Sequence, residues 1–228
     1  MYTHIRVAIC FHLGYNDRYD QFTPYIDHVL AMCPHSDIYI TYRENKDPTE
    51  MCRHKYPQAV IFKATHGCDT GAFLLQIKYM LESHKHYDYI FKLHTKSNNS
   101  VFPQWTHDLL DSIAGNHDAV NNVLHLLKHN SRIGMIAGKK WVLKRDIDCH
   151  IFHHTCRRNR IKPDGYFVGG TIFWIRYSII RDICQHIDLA EEYAICELGK
   201  PIEPSYTHSW ERIYGLMVST CGYKIHGI

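Results

Sequence analysis

Apolar residues come along this chain in short runs that stop abruptly at polar ones. Ile5 to Phe11 is such a run, ending at His12-Leu13-Gly14-Tyr15-Asn16-Asp17. A run of that length, without helical period, predicts a buried strand. Asp37 to Tyr42 predicts a second strand, ending at Thr41-Tyr42-Arg43, and Ala59 to Ala64 a third, ending at Thr65-His66-Gly67. Between them, Tyr25 to Met32 has apolar residues at helical spacing, and Asp47 to Tyr56 reads as a short helix closed by Pro57. A glycine-bearing turn, His66-Gly67-Cys68-Asp69-Thr70-Gly71, leads into an amphipathic segment, Ala72 to Tyr87. The run Tyr89-Ile90-Phe91-Lys92-Leu93 then ends in His94-Thr95-Lys96-Ser97. Strands alternating with helices at this pace predict a mostly parallel, doubly wound α/β sheet with helices on both faces. Right-handed crossovers place the strand ends on one edge.

The second half is less regular. Trp105 to Ile113 and Asp118 to His129 read as helices, and Ile133 to Ala137 as a strand. Lys139 to Lys162 is basic, histidine-rich and without clear period, which predicts a long loop or excursion. Tyr166 to Arg176 reads as one strand with a double-glycine entry, Gly169-Gly170. Ser178 to His186 reads as a helix, Glu197 to Pro204 as a linker, Ser205 to Ser219 as a helix and Tyr223-Lys224-Ile225 as a last strand. The expectation is a single domain over 1–228, compatible with a place in a longer protein.

Composition narrows the function only a little. The 228 residues carry a formal net charge of +3, which gives no case for a general nucleic-acid binder. No apolar run approaches the ~20 residues that span a bilayer, so no transmembrane segment is expected. Met1-Tyr2-Thr3-His4-Ile5-Arg6 enters a strand without a signal-peptide pattern, which points to the cytoplasm. Nine cysteines show no C-x-x-C pair and read as free thiols. His150, His153, His154 and Cys156 are dense enough to hold zinc, but also suit a histidine-rich surface loop.

Candidate chemistry gathers at the strand ends, where α/β sheets bind ligands. His12, Thr41, Thr65 and Asp69 offer polar groups there. Gly67 and its turn precede a helix, whose N-terminal amides favour an anion; equally, Asp69 or Thr70 caps the helix. Lys92, His94 and Lys96 alternate, so they share one face of an extended chain. Two cations around an imidazole suit a phosphate-bearing ligand, although charged residues at a strand end are often only solvated.

The order of these parts resembles the glycosyltransferase A fold and, more closely, the rhamnan synthesis protein F family. The motifs that carry the resemblance are Gly67-Cys68-Asp69-Thr70-Gly71-Ala72-Phe73-Leu74, Lys92-Leu93-His94-Thr95-Lys96, Ile133-Gly134-Met135-Ile136-Ala137-Gly138, Gly169-Gly170-Thr171-Ile172-Phe173-Trp174-Ile175-Arg176 and His208-Ser209-Trp210-Glu211-Arg212. A large-virus glycosyltransferase domain acting on a capsid protein is similar too, which would imply host cytoplasm. The resemblance implies transfer of rhamnose or another hexose from a UDP-, GDP- or dTDP-sugar to a glycan acceptor, on a cell-surface polysaccharide or a glycoprotein. Residues 1–100 would be the nucleotide-sugar-binding half and 101–228 the acceptor half. His94 and Lys96 stand where the general fold has the two aspartates of an Asp-x-Asp motif, which bind Mn²⁺ or Mg²⁺. A lysine can neutralise a departing diphosphate without metal; a metal held by His94 and a nearby carboxylate is the other possibility. Asp146-Ile147-Asp148 matches Asp-x-Asp literally but at the wrong place. Glu211 stands where the resemblance implies the general base, with an ion pair to Arg212 as its other reading and Asp164 as the alternative base. Gly170, Trp174 and Trp210 are the candidate acceptor contacts; both tryptophans could equally be core. Rival readings are a nucleotidyltransferase-like enzyme and a non-catalytic nucleotide- or glycan-binding module.

Overall fold

A computed structural model describes residues 2–43, 47–96, 104–199 and 201–228. The first half follows the expected alternation: β1 (Val7–Leu13), α1 (Tyr19–Met32), β2 (Asp37–Tyr42), α2 (Thr49–Lys55), β3 (Val60–Lys63), α3 (Cys68–Glu82) and β4 (Tyr89–His94). Then come α4 (Trp105–Ala114), α5 (His117–His129), β5 (Ile133–Ala137), β6 (Val142–Lys144), α6 (His150–Arg158), β7 (Tyr166–Val168) and β8 (Phe173–Arg176). The chain closes with α7 (Tyr177–Cys184), α8 (Leu189–Ile195), α9 (Tyr206–Thr220) and β9 (Lys224–Gly227). Among the described residues one seven-stranded sheet runs β3-β2-β1-β4-β8-β5-β9. It is parallel from β3 to β4 and between β5 and β9; β8 runs antiparallel to both its neighbours. The protein is thus mixed α/β with a mostly parallel sheet.

Both faces of the sheet are covered, as expected of parallel strands whose residues are apolar on both sides. On β4, Tyr89, Phe91 and Leu93 join a core with α1, α4 and α5, while Ile90 packs with α3, α7 and α9. Lys92 and His94 follow Ile90 onto that second face. Register sets β1 between β2 and β4, so His12 has Thr41 on one side and His94 on the other. Three strand ends therefore place their polar residues side by side.

Three expectations fail. The tract 139–162 is not a long loop: it holds β6, which pairs with β7, and α6. Helix α6 escapes a periodicity reading because its apolar stripe is interrupted by histidines. Tyr166–Arg176 is two strands rather than one. Gly170 and Thr171 both take left-handed backbone conformations, at φ +80° and +49°, and this turn sends β7 to the small sheet and β8 to the large one. Finally, neither Asp69 nor Thr70 caps α3. Gly67 does so at φ +67°, without a side-chain bond, and Asp69 turns elsewhere. Helix α8 was not anticipated at all.

Candidate active site

The first turn of α3 can lie against the end of β3 only because residue 71 is glycine. A Cβ there would collide with the His66 carbonyl, and one on Gly67 would sit 2.8 Å from the Gly71 Cα. This close approach sets Asp69 over the end of β4. Lys92 Nζ donates to Asp69 Oδ2 at 3.0 Å and to the Thr171 carbonyl at 2.7 Å. The Thr171 hydroxyl donates to the same Asp69 oxygen. His94 Nδ1 lies 3.2 Å from that oxygen, off the line a hydrogen bond needs. Lys92 is only 1% exposed and sits between the Phe73 and Phe173 rings. Lys96 Nζ donates to the Gly170 carbonyl at 3.2 Å and lies 4.3 Å over the Trp105 ring. Lys92, His94 and Lys96 therefore turn to the same side; Lys92 and His94 are buried, and Lys96 is half-buried against Trp105 instead of being freely solvated at a strand end.

Protonation follows from this packing. Burial alone would raise the Asp69 carboxyl, but His94, Lys92, Lys96 and the Thr171 hydroxyl together hold it well below the usual carboxylate range. Burial pushes Lys92 down, and Asp69 opposes that shift. Burial likewise keeps His94 and His12 neutral; His12 is brought to about 4, with Asp69 opposing and Lys92 and Arg43 assisting. A neutral His94 cannot lend charge to Asp69, so we attribute the acidity of Asp69 chiefly to the lysines. Burial brings Lys96 to about 8, with Asp69 resisting. Lys96 bonds a neutral carbonyl and has no ion pair with a described carboxylate. At neutral pH it is a cation available to an anionic ligand.

The remaining expected residues divide into two groups. His12 Nδ1 lies 3.1 Å from the Thr41 hydroxyl, which Gln76 also reaches, so His12 and Thr41 line the same strand ends. Glu211, on α9, comes to the site from the other side: its Oε1 accepts the Gly170 amide at 2.9 Å and its Oε2 takes Arg212 at 2.7 Å. Gly170 is thus gripped by Lys96 through its carbonyl and by Glu211 through its amide.

Four expectations are corrected or displaced. Trp174 is fully buried, stacked on Phe91 at 4.8 Å, and its indole donates to the Ile113 carbonyl. Trp210 is fully buried too, and its indole donates to Glu192 Oε2. Neither offers a face to a sugar, because neither has any exposed surface. Asp164 is exposed, and its carbonyl lies beside Ser219, about two turns along α9 from Glu211. Thr65 is exposed on the edge strand's exit; its amide donates to the Tyr193 hydroxyl, and none of its described contacts reaches Asp69.

Sequence reasoning gave Arg43 no role and named Arg212 only as an ion-pair partner of Glu211, a pair the structure contains. Arg43 follows β2, donates to Cys68 Sγ at 3.6 Å and adds a cation near His12. Its place at a strand end was the signal that could have found it.

A divalent metal does not suit these groups. Among the described residues Asp69 is the one carboxylate bonded to the β4 residues, its Oδ2 is already taken by Lys92 and Thr171, and two ammonium groups would repel a cation. Among the described residues no group of three or more His, Cys, Asp or Glu could hold one. Asp146 pairs with Arg212, Asp148 with His153, and Ile147 between them is buried. His153 is turned to Asp148 and Cys156 is buried, so the histidine-rich tract does not converge on a zinc site.

The sequence model for rhamnan synthesis protein F matches residues 1–164. The chain belongs to that family. The match takes in β1 to α6 and every residue of the Asp69–Lys92–His94–Lys96 group; Gly170 and Glu211 lie beyond it. No curated protein matches. Among solved structures the chain is similar to a 4-diphosphocytidyl-2C-methyl-D-erythritol synthase, at 10% identity over 83% of each chain with a TM-score of 0.44. It is also similar to a protein described as a nucleotide-diphospho-sugar transferase from Desulfovibrio desulfuricans, at 15% identity over 82% of this chain and 73% of that one, TM-score 0.36. A third is glucosyl-3-phosphoglycerate synthase from Mycobacterium tuberculosis, solved with Mn²⁺, UDP-glucose and phosphoglyceric acid, at 9% identity over 97% of this chain and 82% of that one, TM-score 0.38. At these identities no residue role carries across.

Proposed function

We propose that this family member is a glycosyltransferase that moves a sugar, rhamnose or another hexose, from a nucleotide-diphosphate sugar to a glycan acceptor on a polysaccharide or glycoprotein. The observation that carries the reading is the meeting of Lys96 and Glu211 on one residue, Gly170, beside the Asp69–Lys92 pair. A cation for the leaving group and a carboxylate for the nucleophile are then held on the same residue, close enough to feel each other's charge.

In the proposed step the acceptor hydroxyl oxygen attacks C1 of the sugar as its proton passes to Glu211. The bond from C1 to the diphosphate oxygen breaks, and its electron pair leaves with the nucleoside diphosphate. Lys96 meets the growing negative charge. Charge stabilisation of this kind contributes most in a preorganised, partly dry site. Lys92 and Asp69 hold the turn at 170–171 in place instead of touching the diphosphate, because Lys92 is spent on Asp69 and the Thr171 carbonyl. His12, Thr41 and Arg43 are positioned for the nucleotide at the ends of β1 and β2.

Thermal shift with UDP-glucose, GDP-mannose and dTDP-rhamnose identifies the donor, because a ligand bound only by the native state raises its melting point. Release of nucleoside diphosphate from that donor should persist in excess chelator and fall about 10²–10³-fold in Lys96→Ala. Complete loss on chelation, with Lys96→Ala near wild type, would replace the lysine by a metal and overturn this reading.

A further inference from the structure

Neighbouring residues on a helix point about 100° apart, so helical geometry alone does not bring Arg212 to Glu211. Something has to bend the arginine back. Its guanidinium lies 4.7 Å over the Phe167 ring, and its Nε and Nη2 donate to Asp146 at 3.1 and 3.3 Å. Glu203 takes Nη2 at 2.9 Å, and the His208 carbonyl takes Nη1 at 3.5 Å. Only then does Nη1 reach Glu211 Oε2 at 2.7 Å. The Arg212 side chain is 7% exposed, whereas Asp146 is 59% and Glu203 47%. Ion pairs to such exposed carboxylates add little stability. Two of them on a single buried fork make better sense as geometry: they fix the plane of the guanidinium, and the guanidinium fixes Glu211.

We infer that Arg212, held by Asp146 and Glu203, is the positioning residue that orients the Glu211 carboxylate for proton transfer. This rests on the reading of Glu211 as the base. Arg212 takes Oε2, the Gly170 amide takes Oε1 from one direction, and the carboxylate is left with one orientation and a free lone pair on Oε1. A planar fork does this where a lysine would not, because it delivers several parallel bonds in fixed directions. Arg212 itself touches no reacting atom. Glu203 brings a second consequence. It belongs to the segment whose Glu197 carbonyl accepts the Gly67 amide and whose Gly199 carbonyl accepts the Cys68 thiol. The stretch beside the α3 N-terminus thus reaches Arg212 as well.

The test is a double-mutant cycle on release of nucleoside diphosphate, using whichever of UDP-glucose, GDP-mannose and dTDP-rhamnose the wild-type protein hydrolyses fastest. Arg212→Lys should lower kcat about 10–100-fold, the range expected for a misplaced catalytic group, while the melting point and donor KM stay near wild type. Asp146→Asn, an exposed substitution that leaves the core untouched, should lower kcat in the same sense and less. In a Glu211→Gln background neither should cost anything more, because Arg212 acts only through Glu211. Losses that multiply in that background, or wild-type kcat in Arg212→Lys, would overturn the inference while leaving Glu211 as the base. Wild-type turnover in Glu211→Gln alone would remove the base, and the inference with it.

Discussion

Replacing Asp69 by asparagine tests the charge logic of the site before any substrate is known. The substitution keeps the shape and removes the counter-ion of Lys92, which is 1% exposed and wedged between Phe73 and Phe173. Removing one partner of a buried ion pair costs about 3–5 kcal/mol. The lower end applies here, because the Asp69 side chain is one-fifth exposed and Lys92 keeps the Thr171 carbonyl. A loss of about 3 kcal/mol lowers the melting point by about 6–12 °C for a domain of this size. The pH dependence has a defined sign. In the wild type the Asp69 carboxyl is depressed, so its stabilisation is present above the unfolded value and is lost only as pH falls through the folded one. In the variant that contribution is absent at every pH. The remaining penalty is a buried lysine whose folded value is depressed. That penalty is full at neutral pH and shrinks as pH rises, because the neutral amine is no longer costly to bury. Urea denaturation of Asp69→Asn should therefore show its largest deficit near pH 7 and a smaller one near pH 10. Adding Lys92→Met should recover most of the loss, since a matched apolar side chain replaces the stranded charge. A deficit below about 1 kcal/mol, or one equal at both pH values, would refute the account of Lys92 as a charge held by Asp69.

Lys96, brought to about 8 by burial, should lose its cation above that pH, so donor affinity should fall there. In Lys96→Arg the fall should move to higher pH, and an unchanged alkaline limit would detach it from Lys96. Gly71→Ala should destabilise the fold by about 2–3 kcal/mol, because the methyl meets the His66 carbonyl and must push α3 away; wild-type urea stability would contradict that contact. Trp174→Ala should cost about 3–5 kcal/mol, while Trp174→Phe should keep both fold and turnover. A selective rise in acceptor KM in Trp174→Phe, at unchanged stability, would reinstate Trp174 as a sugar contact.

Much of the first half was legible because each strand there is an apolar run that ends in one polar cluster. That is why His12, Thr41, Asp69, Lys92, His94 and Lys96 could be picked before any coordinates, and why the mostly parallel sheet was foreseeable. The glycine turn at 67–71 was legible as a helix entry, but the role of Asp69 was not. Whether a carboxylate caps its own helix or crosses to a neighbouring strand depends on how closely the two elements approach. Trp174 and Trp210 failed for a related reason. An aromatic on a strand or helix has the same spacing whether its far face meets solvent or Phe91, and only the three-dimensional layer decides. Helix α6 and strand β6 were hidden by composition, since lysines, arginines and histidines blur the apolar period. Tyr166–Arg176 looked continuous because a reversal through two left-handed residues, one of them threonine, leaves no mark in a hydropathy pattern. Arg212 was visible as a neighbour of Glu211 but not as a hub, because Asp146 and Glu203 arrive from 66 and 9 positions away.

That reversal is also where the separate parts of the site become one. Gly170 donates its amide to Glu211 and offers its carbonyl to Lys96; Thr171 offers its carbonyl to Lys92 and donates its hydroxyl to Asp69. Left-handed backbone at Thr171 costs roughly 1–2 kcal/mol, because its Cβ crowds the following carbonyl. The surrounding bonds hold that conformation in place. They also explain why it is kept. A right-handed turn would swing both carbonyls away from the lysines and the Gly170 amide away from Glu211. Strain stored at Thr171 thus lets Asp69 of α3, Lys92 of β4, Lys96 just beyond it and Glu211 of α9, which are distant in sequence, all bond to one two-residue turn.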